Sequence, residues 1–203
     1  MESTVKSPVL IYTEQTPNPE SLKFVTNRML YRGTADFQER ELAEKWSPIA
    51  STLFEFPYVK GVYLCNNFIT VTKEMNYSWD DLMLRLKEFI KQYVADGGEL
   101  VSEGYEEAMA EVMAKEDSNN SYTGEEAVLV KKIKDLLNTY VKPAVEMDGG
   151  NIEFKEYNDG IVTVKMQGAC SGCPSSTVTL QAGIEGMLKR MIPEVRQVVS
   201  EMA

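Results

Sequence analysis

Two cysteines three positions apart, Cys170 and Cys173 in Cys170-Ser171-Gly172-Cys173-Pro174, are the residues of this chain best suited to chemistry. A C-x-x-C pair presents two sulfurs on one side of a tight loop, where as thiolates they can grip one soft metal centre, and Gly172 permits the turn. Two ligands are half a site, because zinc and iron–sulfur centres generally take four soft or imidazole ligands. The chain has three cysteines in all and no histidine, and the third, Cys65, lies far away in sequence. The economical source of the other half is a second copy of the same protein. The motif therefore predicts a centre shared across a two-fold axis and tied to dimer formation.

Pro174 suits the first position of a helix, where the amide hydrogen it lacks has no helical partner. Cys173 then falls near a helix N-terminus, whose unpaired amides and positive dipole end favour a negative sulfur and lower a thiol from its free pKa of about 8.5. Amides of Ser175 and Ser176 are placed to donate to sulfur. The spacing alone serves a zinc half-site, a thiol–disulfide exchange motif or a cluster site. A thioredoxin-like exchange site normally has an aromatic before its first cysteine; here Ala169 precedes Cys170, and the unit ends about 30 residues later.

The elements that must position this loop come from periodicity. Val9 to Tyr12 and Ser21 to Val25 read as strands around the turn Thr16-Pro17-Asn18-Pro19. Ser47-Pro48 is a cap followed by a proline, so two short helices are expected over residues 37–54. Two strand-like runs flank Asn66-Asn67 as a hairpin, in which Cys65 reads as a small apolar residue. Trp79, Leu82, Met83, Leu86, Phe89, Ile90 and Tyr93 follow helical spacing, closed by Gly97-Gly98. Residues 103–124 are acidic and polar and read as a linker, with too little apolar surface to hold a helical turn rigidly at 108–114. A second unit, residues 125–203, opens with a helix bearing Leu129, Ile133, Leu136, Leu137, Tyr140, Val141 and Ala144, bent near Pro143. Asn158-Asp159-Gly160 then joins two strands, the cysteine loop follows, and a helix and a last strand over residues 195–200 complete the unit. The expected class is α+β, with two small domains, 1–102 and 125–203, of which the second runs helix, β-hairpin, C-x-x-C loop, helix, strand.

In these residues the chain resembles a known family. Val141-Lys142-Pro143-Ala144-Val145, Asp148-Gly149-Gly150-Asn151-Ile152, Gly168-Ala169-Cys170-Ser171-Gly172-Cys173-Pro174-Ser175-Ser176, Thr179-Leu180 and Gly183-Ile184-Glu185 are similar to the NifU-like (Nfu-type) iron–sulfur scaffold domain. Thr16-Pro17-Asn18-Pro19, Ser21-Leu22-Lys23-Phe24, Ser47-Pro48-Ile49-Ala50, Leu53-Phe54 and Asn67-Phe68-Ile69-Thr70-Val71 resemble the Nfu N-terminal domain. The resemblance covers nearly the whole chain except the linker. It implies a carrier rather than an enzyme: Cys170 and Cys173 of two protomers hold one [4Fe-4S] cluster, or a [2Fe-2S] form, in a homodimer. Upstream assembly proteins would supply the cluster and apo iron–sulfur proteins receive it. Asp148-Gly149-Gly150 is expected to shape the turn beside the loop rather than bind metal, since hard carboxylates are uncommon partners of a sulfur-ligated cluster. Cys65 takes no role from the resemblance. The competing reading is a thiol–disulfide oxidoreductase.

Composition narrows the partners. The formal charge is −10, with 21 basic against 31 acidic residues, and half of that excess, −5, falls within residues 103–124. Such a chain lacks the unspecific phosphate attraction that drives nucleic-acid binding. No apolar run approaches the roughly 18 to 20 residues of a membrane span, and residues 1–10 lack a secretory pattern. Nucleic acid and membrane are therefore not expected partners, and the expected location is cytoplasmic.

Overall fold

The computed structural model describes residues 8–118, 122–171 and 174–202. It is an α/β arrangement with two sheets, each with its own apolar core. The first sheet is antiparallel, with β1 (Ile11–Gln15), β2 (Ser21–Thr26), β3 (Tyr31–Phe37), β4 (Val59–Asn66) and β5 (Phe68–Lys73) in the order β1-β2-β5-β4-β3. The β1–β2 connection is the Thr16-Pro17-Asn18-Pro19 turn, and the β4–β5 hairpin turns at Asn66, which takes φ +48°. β3 is a strand that sequence spacing did not announce; it pairs with β4 with an irregularity between Tyr31 and Thr34.

Two short helices fall where the cap signals place them, α1 (Arg40–Trp46) and α2 (Pro48–Leu53). Ser47 Oγ accepts from the Ala50 amide at 3.2 Å and donates to the Leu100 carbonyl at 2.5 Å, so one buried hydroxyl caps α2 and ties down the distant chain. The helix α3 (Trp79–Asp96) buries Leu82, Leu86, Ile90 and Val94 at four-residue spacing and stops at Gly97, left-handed at φ +76°. Period-2 alternation sends Phe24, Val62, Leu64, Ile69 and Val71 into the core with these helices. It sends Val25, Tyr63, Cys65 and Phe68 to the opposite face, where they form a separate buried cluster.

Residues 103–124 depart from the expectation of a loose segment, because α4 (Tyr105–Ser118) is formed there. The anchor is Tyr105, buried among Phe37, Trp46 and Tyr31 with ring centroids 5.6, 6.0 and 6.5 Å away. One aromatic side chain supplies apolar area that the acidic composition of the segment conceals.

The second core begins with α5 (Gly124–Leu136), a π-helical turn (Leu137–Val141) and α6 (Lys142–Met147). Pro143 has no amide hydrogen to donate back into the helix, and the ladder widens just before it. The wider turn shifts the buried stripe by one residue: Val145 is buried, while Ala144 and Tyr140, expected on the core face, are exposed. The hairpin β6 (Gly150–Asn158) and β7 (Ile161–Gly168) turns through Asp159 and Gly160, both at positive φ as a type I′ turn requires. After the cysteine loop, α7 (Pro174–Met191) crosses back and β8 (Gln197–Met202) pairs parallel to β7. The last strand thus starts two residues later than its expected beginning at Val195.

Candidate metal centre

The cysteine loop leaves the end of β7 and sits on the start of β6, because Gly150 and Gly168 are register partners at the open end of the hairpin. Three short bonds shape it. The Ala169 amide donates to the Gly149 carbonyl, and both the amide and the hydroxyl of Ser171 donate to the Gly168 carbonyl, each at 3.1 Å. Thr177 Oγ1, one turn into α7, donates to the Cys170 carbonyl at 3.3 Å. Helix α7 begins at Pro174, as the missing amide hydrogen predicts.

Asp148-Gly149-Gly150 forms the floor of this loop, in agreement with its expected role in the turn. Asp148 ends α6 and Gly149 is left-handed at φ +84°. Gly150 leaves room for the cysteine: a Cβ there would stand 2.8 Å from Cys170 Sγ and 2.6 Å from the Gln167 carbonyl oxygen. Cys170 itself is 8% exposed, with its side chain among the apolar residues of the second core. Burial pushes its thiol up to about 12, reinforced by the nearby Asp148 charge. The thiol at rest is therefore neutral. Cys173 and Gly172 lie outside the described residues. Among the described residues, no three His, Cys, Asp or Glu side chains converge on one point.

Cys65 is buried on β4 and far from the loop in sequence. Burial raises its thiol, opposed by Tyr63, and the neighbouring Glu146 and Lys142 charges both belong to α6. The second face of the first sheet, with Cys65 on it, is thus turned toward the second unit, and β4 and β5 lie against β7.

That face and the β1–β2 turn reach the loop directly. Asn18 Nδ2 donates to the Ser171 carbonyl at 3.3 Å, Lys23 Nζ to the Met147 carbonyl at 2.9 Å, and Thr70 Oγ1 to the Gly149 carbonyl at 2.8 Å. These three side chains were absent from the sequence-derived site. A signal existed in β2 and β5, where Lys23 and Thr70 stand on a face shared with Val25 and Phe68, the pattern of a strand covered on both sides.

Two family models match segments of the chain. The model of the NifU-like domain matches residues 133–199, and that of the scaffold protein Nfu/NifU N terminal matches residues 11–97. The human protein named NFU1 iron-sulfur cluster scaffold homolog, mitochondrial, is 40% identical over 196 residues, covering 96% of this chain and 72% of its own. The protein of the same name from Drosophila willistoni is 38% identical over 195 residues, covering 95% of this chain; the chain spans 64% of that relative's length. A solution structure of a NifU-like protein from Saccharomyces cerevisiae aligns with 51% of this chain and 92% of its own at a TM-score of 0.44 and 21% identity.

The expected cytoplasmic location is corrected by these relatives: all eight compared, from seven Drosophila species and human, are mitochondrial by name. That expectation drew on the pattern of residues 1–10 and on the absence of an apolar span, neither of which specifies a compartment. Two matched segments and identity near 40% along almost the full chain make it a member of the NifU/Nfu scaffold family.

Proposed function

We propose that this protein is an iron–sulfur scaffold and carrier in which Cys170 and Cys173 ligate a [4Fe-4S] cluster bridged between two protomers. Its cargo passes to apo iron–sulfur proteins. The observation that carries the reading is the ligand shortage at a built loop. Cys170 sits on a glycine floor beside the start of α7, Cys173 is the one other cysteine near it in sequence, and the chain has no histidine. Four sulfurs require two chains. The relatives' names, which specify iron-sulfur cluster scaffolds, support the same cargo.

The role is transfer, not catalysis. A recipient thiol gives up its proton and bonds to iron as one protomer's iron–sulfur bond breaks and that sulfur takes a proton, so each exchange is balanced without a change of oxidation state. A site between subunits can be dismantled in such steps, one sulfur at a time. The division into units 1–102 and 125–203 joined by 103–124 belongs to the same proposal, and the two family matches fall within the outer segments. Thiol–disulfide exchange is the weaker reading, because it needs an accessible thiolate and Cys170 is buried.

Anaerobic reconstitution with iron and sulfide, followed by iron, sulfide and absolute mass on one sample, tests the proposal. About four irons and four sulfides per dimer, with monomer after stripping, is the expected result. Monomer throughout with no retained iron overturns it.

A further inference from the structure

We infer that the outer face of the first sheet is a latch on the cysteine loop, and that loading the bridged cluster requires this latch to release. The inference rests on the reading of Cys170 and Cys173 as ligands; its structural half stands on the contacts alone.

Three observations carry it. First, three of the bonds share one sense: Asn18, Lys23 and Thr70 donate, and their acceptors are main-chain carbonyls of the two segments that make the site, Ser171 on one side and Met147 and Gly149 on the other. Donors aimed at carbonyls hold a backbone conformation whatever its side chains. Secondly, the fit needs glycine. At Gly149 a Cβ would meet Thr70 Oγ1 at 2.9 Å, and at Gly168, left-handed at φ +62°, it would meet Tyr63 Cγ at 2.8 Å. Both glycines of the hairpin end thus admit the first sheet to contact distance. Thirdly, Lys23 and Thr70, on the face of the sheet opposite its own helices, and Asn18, in the β1–β2 turn, are all buried. Polar groups so placed are satisfied by this docking and would be left to water without it.

The conformation that the latch holds is one with the Cys170 side chain turned into the second core. A sulfur that bonds to a cluster shared with a second copy must point away from its own core. Turning Cys170 outward moves the peptide that carries the Ser171 carbonyl, to which Asn18 is bonded. Docked sheet and presented sulfur are therefore alternatives, and a cluster that selects the presented form drives the first sheet off the loop.

The test uses the full chain with Lys23→Met and Thr70→Val together, which remove two donors and keep the volumes. Hydrogen exchange of the apo-protein is followed in peptides covering 145–152 and 166–171, and cluster loading is followed by absorbance. The expected result is about 10-fold faster exchange in these peptides, faster loading, and the same final iron per dimer. Exchange equal to wild type, or faster exchange with unchanged loading, overturns the latch. A second measurement needs no mutation: in the wild-type protein, Cys65, buried on the docked face, should be alkylated faster when the cluster is loaded, as read by peptide mass mapping, and unchanged labelling also overturns it. Failure of the cluster reading is seen separately, as wild-type protein that retains no iron while the apo-exchange comparison still reports on the docking.

Discussion

Gly150 lies directly beneath Cys170: a methyl group on its Cα would stand 2.8 Å from the thiol sulfur and 3.1 Å from the Cys170 amide nitrogen. The first residue of β6 is thus the wall against which the ligand is packed. Gly150→Ala must push the loop or the strand, since the third close atom is the Gln167 carbonyl oxygen and cannot swing away. A loss of about 1–3 kcal/mol in urea unfolding of the second core is expected, with faster alkylation of Cys170 in a Cys65→Ser background. Wild-type stability and labelling together would show that the strand end yields freely.

Buried acid at the junction of the two units gives a pH dependence with a definite sign. Burial pushes the Asp36 carboxyl up to about 7, opposed by Gln38, by the Gly168 amide and by the Lys165 charge of β7, and assisted by Glu153 of β6. Tyr105 of α4 packs on the neighbouring Phe37, and its hydroxyl oxygen accepts from the Asp36 main-chain amide. Between the ordinary carboxylate range and pH 7 the folded state holds a proton that the unfolded state has lost. Stability is therefore greatest below about pH 4 as far as this group is concerned, falls as pH rises, and reaches its full penalty above pH 7, by up to about 4 kcal/mol. Asp36→Asn should flatten the slope between pH 4 and 7 and stabilise the protein at pH 8. A slope unchanged by the substitution would assign the dependence to another group.

The cysteines separate by role. Cys170→Ser and Cys173→Ser should each abolish the retained cluster and the cluster-dependent dimer while the apo-protein stays folded, as measured by iron content and light scattering. Cys65→Ser should leave iron per dimer unchanged and lower stability by about 1–3 kcal/mol, because it places a hydroxyl in the apolar cluster with Val25, Tyr63 and Phe68. A serine variant at position 170 with full iron would remove the basis of the proposed site, and a halved iron load at position 65 would make Cys65 a ligand.

What the sequence made legible follows from how local each signal is. Ser47-Pro48, Gly97 and Asp159-Gly160 act through their own backbones, and each produces the cap or turn that its residue types require. The C-x-x-C pair announces metal or redox chemistry by the same locality. The π turn before Pro143 was half legible, since a proline marks the break and not the way the ladder widens around it. Tyr105 and the latch were hidden for a different reason. One aromatic in an acidic segment, and an Asn, a Lys and a Thr 153, 124 and 79 positions from the carbonyls they bind, gain meaning only when the two units are brought together. The thiol of Cys170 shows the same limit. Its neighbourhood in sequence is a tight loop suited to a soft metal, and its neighbourhood in space is an apolar core with Asp148 beside it.

Ser47 offers a control that is distant from the loop. Its hydroxyl is fully buried, accepts from the first turn of α2 and donates to Leu100, so Ser47→Ala removes a cap and strands a carbonyl at once. The expected loss is about 2–3 kcal/mol, one part from the cap and one from the unsatisfied acceptor. Because both bonds lie within the first core, the loss should appear in its unfolding transition, followed by Trp46 fluorescence in a Trp79→Phe background. Iron per dimer should not change. If Ser47→Ala also altered cluster loading, the first unit would influence the loop through its overall stability, and the faster loading expected of the Lys23→Met and Thr70→Val protein would lose its specific meaning. Wild-type loading with a lowered transition would confine the coupling to the three donors that touch the loop.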